Sequence, residues 1–179
     1  MNDFSAQFQE LIEHRFSVRA FSQKKIDNEI IDKILNAGRV APTARNLQPH
    51  RILVINSREG LEKLKRCTGS HYNCVLALLV CYDKTACWVR EFDQKSSGEI
   101  DAAIVSTHMM LSAASLGIGS TWVMNFDPKA LHQEFALPQH LEAVSILVMG
   151  YPAENACPSS RHTERKELTE TVFWNQFEE

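Results

Sequence analysis

The chain has 179 residues, of which 44% are apolar and 23% are charged, as is ordinary for a folded soluble protein. Its formal charge of -3 and its pI of about 6.2 argue against a nucleic-acid partner, because nucleic-acid binders usually carry a basic excess. The longest apolar run, residues 75–82, is far shorter than the roughly 20 residues that span a bilayer, and the start lacks the pattern of a secretory signal, so we expect no membrane association.

Apolar spacing predicts the elements of the first half of the chain. Phe4, Phe8 and Leu11 recur at helical spacing, whereas residues 51–55 form a β-branched run that is typical of a strand. The run at 75–82 is apolar throughout, which predicts a strand buried on both faces. In chain order, the predicted elements are a helix over 3–14, a helix from the N-cap Asp27 to Gly38, a strand over 51–55, a short helix around Leu61 and Leu64, and a strand over 75–82.

A long apolar helix dominates the second half. Ser96 and Glu99 have the spacing of a capping box, and the helix behind them, residues 100–116, carries apolar or small residues nearly all the way round. Such a helix is expected to be buried, and its length of about 25 Å suits the spine of a small domain or a dimer interface. The remaining predicted elements are a helix cap at Gly117, a strand over 120–124, a helix from Asp127–Pro128 to about Leu137, and a strand over 143–150.

This order of elements favours an α+β sandwich that forms one domain over residues 1–179. Two helices precede the first strand, which breaks the strict βαβ alternation of a doubly wound parallel sheet. The end of the chain is rich in aromatic residues, namely Phe173, Trp174 and Phe177, and a terminus of this composition is expected to be buried. We therefore expect the C-terminal tail, residues 166–179, to pack on a partner subunit.

Two arginines near the start of the chain share one side of the backbone. If this segment is helical, Arg15 and Arg19 lie on one face of the helix. If it is a strand, Arg15, Ser17 and Arg19 all lie on one side. Two guanidinium groups beside a hydroxyl suit a phosphate, which guanidinium binds through paired, charge-assisted hydrogen bonds. The same pattern is also typical of a solvated basic edge.

A polar loop precedes the first predicted strand. Within residues 41–50, two prolines bracket Thr43, Asn46 and Gln48, so the loop is stiff and presents amide groups at the mouth of the strand. Asparagine and glutamine offer both a donor and an acceptor, which suits the edge of a pyrimidine-like ring. An ordinary connecting loop is the alternative interpretation.

Other chemical patterns are weak or absent. The GxG at 117–119 follows a helix, whereas the dinucleotide fingerprint has a third glycine and a strand before it. Asp101 and His108 lie about two helical turns apart, which favours a satisfied buried histidine over a proton pair. The five cysteines are odd in number and form no CxxC pair, so we expect reduced thiols in a cytoplasmic protein and no metal site.

Five separate motifs occur in a fixed order along the chain. They are RFSVR at 15–19, APTARNLQPH at 41–50, the run from Asp101 to Val123, MGYPAE at 149–154 and RKELTE at 165–170. In this order they resemble the nitroreductase family, most closely its short members. The resemblance implies an α/β sandwich with a mostly antiparallel central sheet flanked by helices. It also implies a homodimer with two FMN sites at the interface, each drawing on both chains.

The resemblance assigns residues to the FMN site. By that likeness, the residues that contact the phosphate and ribityl chain are Arg15, Phe16, Ser17, Arg19 and Arg165. The residues that reach towards the flavin from the partner chain are Pro42, Thr43, Ala44, Asn46 and Gln48. The residues beside the isoalloxazine ring, with backbone N–H groups expected to point towards flavin N5, are Trp122, Val123, Met124 and Asn125.

Three positions depart from the family pattern. His50 stands where the family commonly has tryptophan, and Met124–Asn125 replaces a smaller pair. Thr163 occupies a position that often supplies a lysine to the phosphate. The first two departures concern the approach to the flavin, and therefore the substrate more than FMN binding.

The resemblance implies an enzyme in which FMN carries the chemistry and no side chain acts as a catalytic nucleophile or base. NAD(P)H reduces FMN and leaves, and a small oxidised acceptor such as a nitroaromatic or a quinone takes its place in a ping-pong cycle. Residues 83–95 are expected to form a lid, in which Trp88 and Phe92 either stack on a flat acceptor or pack the loop. The alternatives are a non-catalytic FMN-binding dimer that stores or senses flavin, and a dehalogenase or flavin-consuming relative on the same scaffold.

Overall fold

A computed structural model describes residues 3–177 of the chain. Its helices are α1 (Asp3–His14), α2 (Asn28–Arg39), α3 (Arg58–Cys67), α4 (Gly98–Ser115), α5 (Pro128–Phe135) and α6 (Leu168–Thr171). Its strands are β1 (His50–Ile55), β2 (Leu76–Asp83), β3 (Gly119–Val123) and β4 (Leu141–Gly150). Short 3₁₀ turns lie at Ala44–Asn46 and Ser160–His162. The predicted order of helices and strands is confirmed, and α6 lies within the predicted tail.

The four strands form one antiparallel sheet in the order β1-β2-β4-β3. Every residue of β2, a central strand, is buried. Because successive side chains of a strand point to opposite faces, Leu78 and Val80 pack with α2 and α4, whereas Ala77 and Leu79 pack with α3 and α5. The predicted α+β sandwich with an antiparallel sheet flanked by helices is therefore confirmed.

The start of α4 differs from the prediction. Its N-cap is Ser97, and no reciprocal capping pair links Ser96 and Glu99 among the bonds of residues 3–177. The Ser96 hydroxyl accepts a hydrogen bond from the N–H of Gly98 at 3.0 Å, and the Ser97 hydroxyl donates to the buried carboxylate of Asp101 at 2.7 Å. The predicted capping box is therefore wrong. The N-cap lies one residue later, at Ser97, whose hydroxyl bonds to the buried Asp101.

One flank of α4 is open to solvent in the single chain. Val105 and Met109 are fully buried, and both lie beside Gly38 of α2. Ile100 is 54% exposed, and Met110 and Leu111 are only half-buried. The prediction that the helix is buried nearly all round is therefore wrong for a single chain, since no described element covers this flank. Burial of the flank in a dimer stays a prediction.

Two further segments expose apolar side chains. Over its described length α1 has no buried residue, and its Phe4 is 71% exposed. In the tail, Trp174 is 84% exposed and Phe177 is 87% exposed. Packing of the tail, 166–179, on a partner chain stays a prediction, as does a single domain over 1–179. Residues 1, 2, 178 and 179 of these ranges lie outside the described residues.

Several absences hold for residues 3–177. No helix there is long and apolar enough to cross a membrane. All five cysteines are unpaired, and three of them, Cys67, Cys74 and Cys81, are buried. No group of histidine, cysteine and carboxylate side chains in this part of the chain could hold a metal ion. The cytoplasmic location stays a prediction.

Candidate functional site

The segment of residues 15–19 is attached to the edge of β3. Ser17 forms a parallel bridge with Ser120, and the N–H of Val18 donates to the Ser120 carbonyl at 3.0 Å. Gly119 permits this close approach, because a Cβ at that position would lie 2.7 Å from Cγ2 of Val18. The segment is therefore fixed to the sheet, with Val18 buried in the core.

Beside this segment lies a basic cavity of about 500 Å³, which we call the arginine cavity. The predicted phosphate ligands that line it are Arg15, Phe16, Ser17, Arg19 and Arg165. Its other lining residues are Ile12, Ser159, Arg161 and His162. Burial, and next the positive charge of Arg165, lower the pKa of Arg15. The structure thus brings the predicted N-terminal and C-terminal ligands of one chain together.

The arginine cavity has no carboxylate among its described lining residues. None of its four arginines forms an ion pair within residues 3–177. Arg19 donates to the Ser17 carbonyl at 3.3 Å, and Arg165 donates to the Glu164 carbonyl at 2.7 Å, so most of their donors remain free. Neighbouring cations without an acid repel one another, and an anion with several acceptor oxygens removes that repulsion. The cavity therefore suits a phosphate.

The loop of residues 42–48 is anchored on the first turn of α4. The N–H of Ala44 donates to the carboxylate of Asp101 at 2.8 Å, and the hydroxyl of Ser97 donates to the same carboxylate at 2.7 Å. Asp101 is only 2% exposed. A buried carboxylate is stabilised only where donors satisfy it, so this contact fixes the position of the loop.

The loop itself adopts an unusual backbone conformation. Arg45, Asn46 and Gln48 have φ angles of 51°, 57° and 51°, in the left-handed region that costs free energy for residues other than glycine. The N–H of Gln48 donates to the hydroxyl of Thr43 at 3.1 Å and closes the turn. Pro42 and Asn46 are exposed on this turn. The loop therefore presents its polar groups to solvent from a strained and anchored backbone.

Trp88 of the predicted lid, residues 83–95, lies against the same loop. The guanidinium of Arg45 is 5.9 Å from the centre of the Trp88 ring, and the Trp88 carbonyl accepts from the N–H of Ser97 at 2.8 Å. Phe92, by contrast, is 98% exposed in a turn. The structure brings Trp88, but not Phe92, to the N-terminal end of α4.

Residues 122–125 lie at the end of β3 and directly after it, beyond the bridge at Ser120. Trp122 is half-buried and packs on the core between the sheet and α4. Val123 is 4% exposed on the opposite face, so only its backbone is available to a ligand. Met124 is 69% exposed, and the carbonyl of Asn125 accepts from the hydroxyl of Thr68 at 2.6 Å.

His50 begins β1, directly after the loop. Its Nδ1 is buried and has no hydrogen-bond partner among the described residues. Burial, and next the positive charge of Arg51, lower the pKa of His50, while Asp101 acts in the opposite direction. The imidazole is therefore mainly neutral at pH 7. Thr163, another departure from the family pattern, is exposed.

The two groups of predicted ligands lie near opposite ends of α4. Asp101, which anchors the loop, is in the first turn of the helix, whereas Ala114 is in the last turn and lines a small cavity of about 160 Å³ together with Arg15. At about 1.5 Å per residue, these two positions are about 20 Å apart along the helix. Within one chain, the loop and the arginine cavity are therefore separate.

Arg161 and His162 were not predicted as site residues. Both line the arginine cavity. A signal for Arg161 is present in the sequence, because it precedes Arg165 by four residues, the same spacing that separates Arg15 from Arg19. The signal is weak, since a 3₁₀ turn has no apolar periodicity that would place it.

The role of Asp101 was not predicted either. It bonds to Ala44 and Ser97, whereas His108, the partner considered from the sequence, is only half-buried and is not bonded to it. Ala44 and Asp101 are 57 residues apart, so no local pattern could have paired them.

Comparison with known proteins places the chain in a family. The nitroreductase family model matches residues 12–72 and 81–151, which together make up most of the chain. The chain belongs to the nitroreductase family. The resemblance drawn from the five motifs is thus confirmed. The chain is similar to the crystal structure of a nitroreductase family protein from Clostridium difficile 630, with 41% identity and a TM-score of 0.89, over 94% of this chain and 98% of that one.

Two further relatives of this nitroreductase family member are informative. A protein of Methanothermobacter thermautotrophicus, named by inference as an NADH dehydrogenase/NAD(P)H nitroreductase, is 30% identical over 82% of this chain and 78% of its own length. The FMN reductase (NAD(P)H) of Bacillus subtilis is 24% identical over 94% of this chain and 74% of its own length.

Proposed function

We propose that this nitroreductase family member is an FMN-dependent oxidoreductase that transfers hydride from NAD(P)H to small oxidised acceptors, such as nitroaromatics or quinones. The arginine cavity carries the proposal, because it gathers beside β3 four arginines that form no ion pair within residues 3–177. The names of two relatives, an NAD(P)H nitroreductase and an FMN reductase, support the same class of reaction.

The phosphate of FMN fits the arginine cavity. Arg15, Arg19 and Arg165 supply guanidinium donors and Ser17 supplies a hydroxyl, with Phe16 beside them. A phosphate dianion relieves the repulsion by Arg165 that contributes to the lowered pKa of Arg15. Hydrogen bonds to charged groups contribute roughly 1.5–3 kcal/mol each. These residues therefore hold the phosphate end of FMN.

The loop of residues 42–48 completes the site from a second copy of the chain. It lies about 20 Å along α4 from the arginine cavity of its own chain, so one chain does not supply both parts of one site. In a twofold homodimer with antiparallel α4 helices, the loop of each chain faces the arginine cavity of its partner. Phe4, Ile100 and Trp174 are exposed on α1, α4 and the tail, and they provide apolar surface for this interface.

The loop and β3 orient the flavin ring. Thr43, Asn46 and Gln48 offer donors and acceptors to the ring edge. Pro42 and Ala44 hold the backbone, Ala44 through its bond to Asp101. The residues that flank the ring from β3 and beyond are Trp122, Val123, Met124 and Asn125, of which Val123 contributes its backbone alone.

When bound, FMN supplies the hydride transfer in both halves of a ping-pong cycle, and the chain supplies binding, orientation and the exclusion of water. NAD(P)H and the acceptor use one open side of the site in turn. We infer that Trp88, whose ring centre lies 5.9 Å from the Arg45 guanidinium, stacks on a flat acceptor there. Phe92, which is 98% exposed, is the second candidate for such a contact.

Absorption spectroscopy of the purified protein tests the cofactor. We expect flavin bands near ~370 and ~450 nm, the signature of oxidised FMN. Oxidation of NADH or NADPH with a quinone or nitroarene acceptor then tests the activity. A colourless protein that takes up no added FMN would overturn the proposal. A yellow protein that oxidises neither nucleotide would contradict the enzyme and indicate a flavin store or sensor.

A further inference from the structure

The 3₁₀ turn that follows Ser159 brings a fourth arginine into the arginine cavity. The N–H of Arg161 donates to the Ser159 hydroxyl at 3.3 Å, which caps the turn. The ring of His162 lies edge-on to the ring of Phe16, with centroids 6.3 Å apart. Through this contact the turn packs against the segment that carries the N-terminal ligands, so Arg161 has a defined position in the cavity wall.

Arg161 has no acidic partner in the described part of the chain. Its carbonyl accepts a hydrogen bond from the Arg165 guanidinium at 3.5 Å, so the two arginines belong to one folded turn. Each added cation raises the electrostatic free energy of a cavity that already holds other arginines. A bound anion reverses the sign of this contribution, which makes Arg161 stabilising when the cavity is occupied.

The four arginines form two pairs with the same spacing. Arg15 and Arg19 come from the segment along β3, and Arg161 and Arg165 come from the turn near the C-terminus. A phosphate monoester has three strong acceptor oxygens, which a single pair of guanidinium groups does not saturate. The two pairs come from different segments, so together they offer such an anion donors from separate parts of the cavity wall.

We propose that Arg161 is a further ligand of the FMN phosphate, an inference that rests on the proposed function of the chain. Arg161 and Arg165 form the C-terminal half of a clamp whose N-terminal half is Arg15 and Arg19. The C-terminal turn is therefore part of the cofactor site, beside the segment along β3.

Titration of the flavin-depleted full chain with FMN, and with riboflavin, which lacks the phosphate, tests the proposal. Arg161→Ala is expected to raise the Kd for FMN about 10- to 100-fold and to leave the Kd for riboflavin unchanged. Arg161→Lys keeps the charge but loses the guanidinium fork, so its Kd for FMN is expected to lie between those of the wild type and Arg161→Ala. Arg39→Ala removes an arginine of α2 that bonds to Asn36 outside the cavity, and it is the matched control.

The outcomes separate this inference from the proposed function. If the wild-type chain binds FMN and Arg161→Ala binds it equally well, Arg161 is not a ligand and the proposed function stands. An equal loss of affinity for FMN and riboflavin also overturns the inference, because it shows a general disturbance of the site. A wild-type chain that binds neither flavin overturns both. Circular dichroism and thermal unfolding of each variant verify that the fold is retained.

Discussion

The backbone N–H of Ala44 donates a hydrogen bond of 2.8 Å to the carboxylate of Asp101, a residue 57 positions later in the chain. The carboxylate is almost completely buried and has the Ser97 hydroxyl as its second donor. Because a buried carboxylate needs such donors, the loop and the start of α4 stabilise each other. The same contact sets the position of Thr43 and Asn46, which we propose reach the flavin of the partner chain.

Asp101→Ala is expected to loosen this loop. The substitution removes two hydrogen bonds, and we expect it to lower the free energy of unfolding by about 1–3 kcal/mol in a urea titration. Trypsin should then cleave the native protein faster after Arg45, which is exposed in the loop. Asp32→Ala, at an exposed position of α2, is the control. An unchanged rate of cleavage after Arg45 would show that Asp101 does not hold the loop.

Arg19→Ala is expected to weaken FMN binding by roughly 1.5–3 kcal/mol, the contribution of a hydrogen bond to a charged group. The fold should be retained, because Arg19 is exposed and bonds only to the nearby Ser17 carbonyl among the described residues. Flavin fluorescence titration measures the change, with riboflavin as the ligand that lacks the phosphate. If the affinity for FMN stays at the wild-type value, Arg19 belongs to a solvated basic edge.

Truncation after Arg165 is expected to weaken dimerisation and FMN retention together. The removed tail carries Leu168, Trp174 and Phe177, which are exposed in the single chain. Burial of a large apolar side chain stabilises by roughly 1.5–3 kcal/mol, before the cost of ordering the tail. Sedimentation velocity and flavin content of the full and shortened chains measure both effects. A shortened chain that remains a fully loaded dimer contradicts the proposed crossing of the tail.

Because two thiols are buried, we expect the protein to lose stability at alkaline pH. Burial raises the pKa of Cys74 to about 11, and likewise that of Cys81 to about 11, from the ordinary value of 9.0. Because the folded-state pKa is the higher one, the unfolded chain releases its thiol protons first as the pH rises. The contribution of the two buried thiols to the free energy of unfolding is therefore complete below about pH 9 and is lost as the pH rises towards about 11.

Urea titrations across this pH range test the thiol prediction. Each thiol is expected to contribute on the order of 2 kcal/mol to the decline in the free energy of unfolding. Cys81→Ala should have a shallower decline than the wild type, whereas Cys157→Ala, at an exposed position, should follow the wild-type curve. Identical slopes for the wild type and Cys81→Ala would exclude the buried thiol as the cause.

The sequence predicted the elements better than their mutual contacts. Apolar periodicity locates helices and strands because each element turns its own apolar face towards the core. Likewise, Asp127 and Pro128 predict the start of α5 where the structure has it. The start of α4 was misplaced because the choice between Ser96 and Ser97 depends on the buried Asp101. The open flank at Ile100 was missed because apolar periodicity does not show whether another element packs against that side of the helix.

The candidate site was predicted in part. The spacing of Arg15, Ser17 and Arg19 suggested a phosphate site, and the structure places these residues in one cavity with Arg165. Arg161 was missed because its turn reaches the cavity only through tertiary contacts. Their proposed role as FMN ligands stays a prediction until flavin binding is measured.

The placement of the loop and the arginine cavity at opposite ends of α4 has a genetic consequence for the proposed dimer. A chain with Arg19→Ala and a chain with Asn46→Ala are each defective in a different half of the shared site. In a mixed dimer of the two, one site combines the intact cavity of one chain with the intact loop of the other, while the second site carries both defects. If the proposed dimer forms, we therefore expect the two defective alleles to complement each other in trans when they are expressed together.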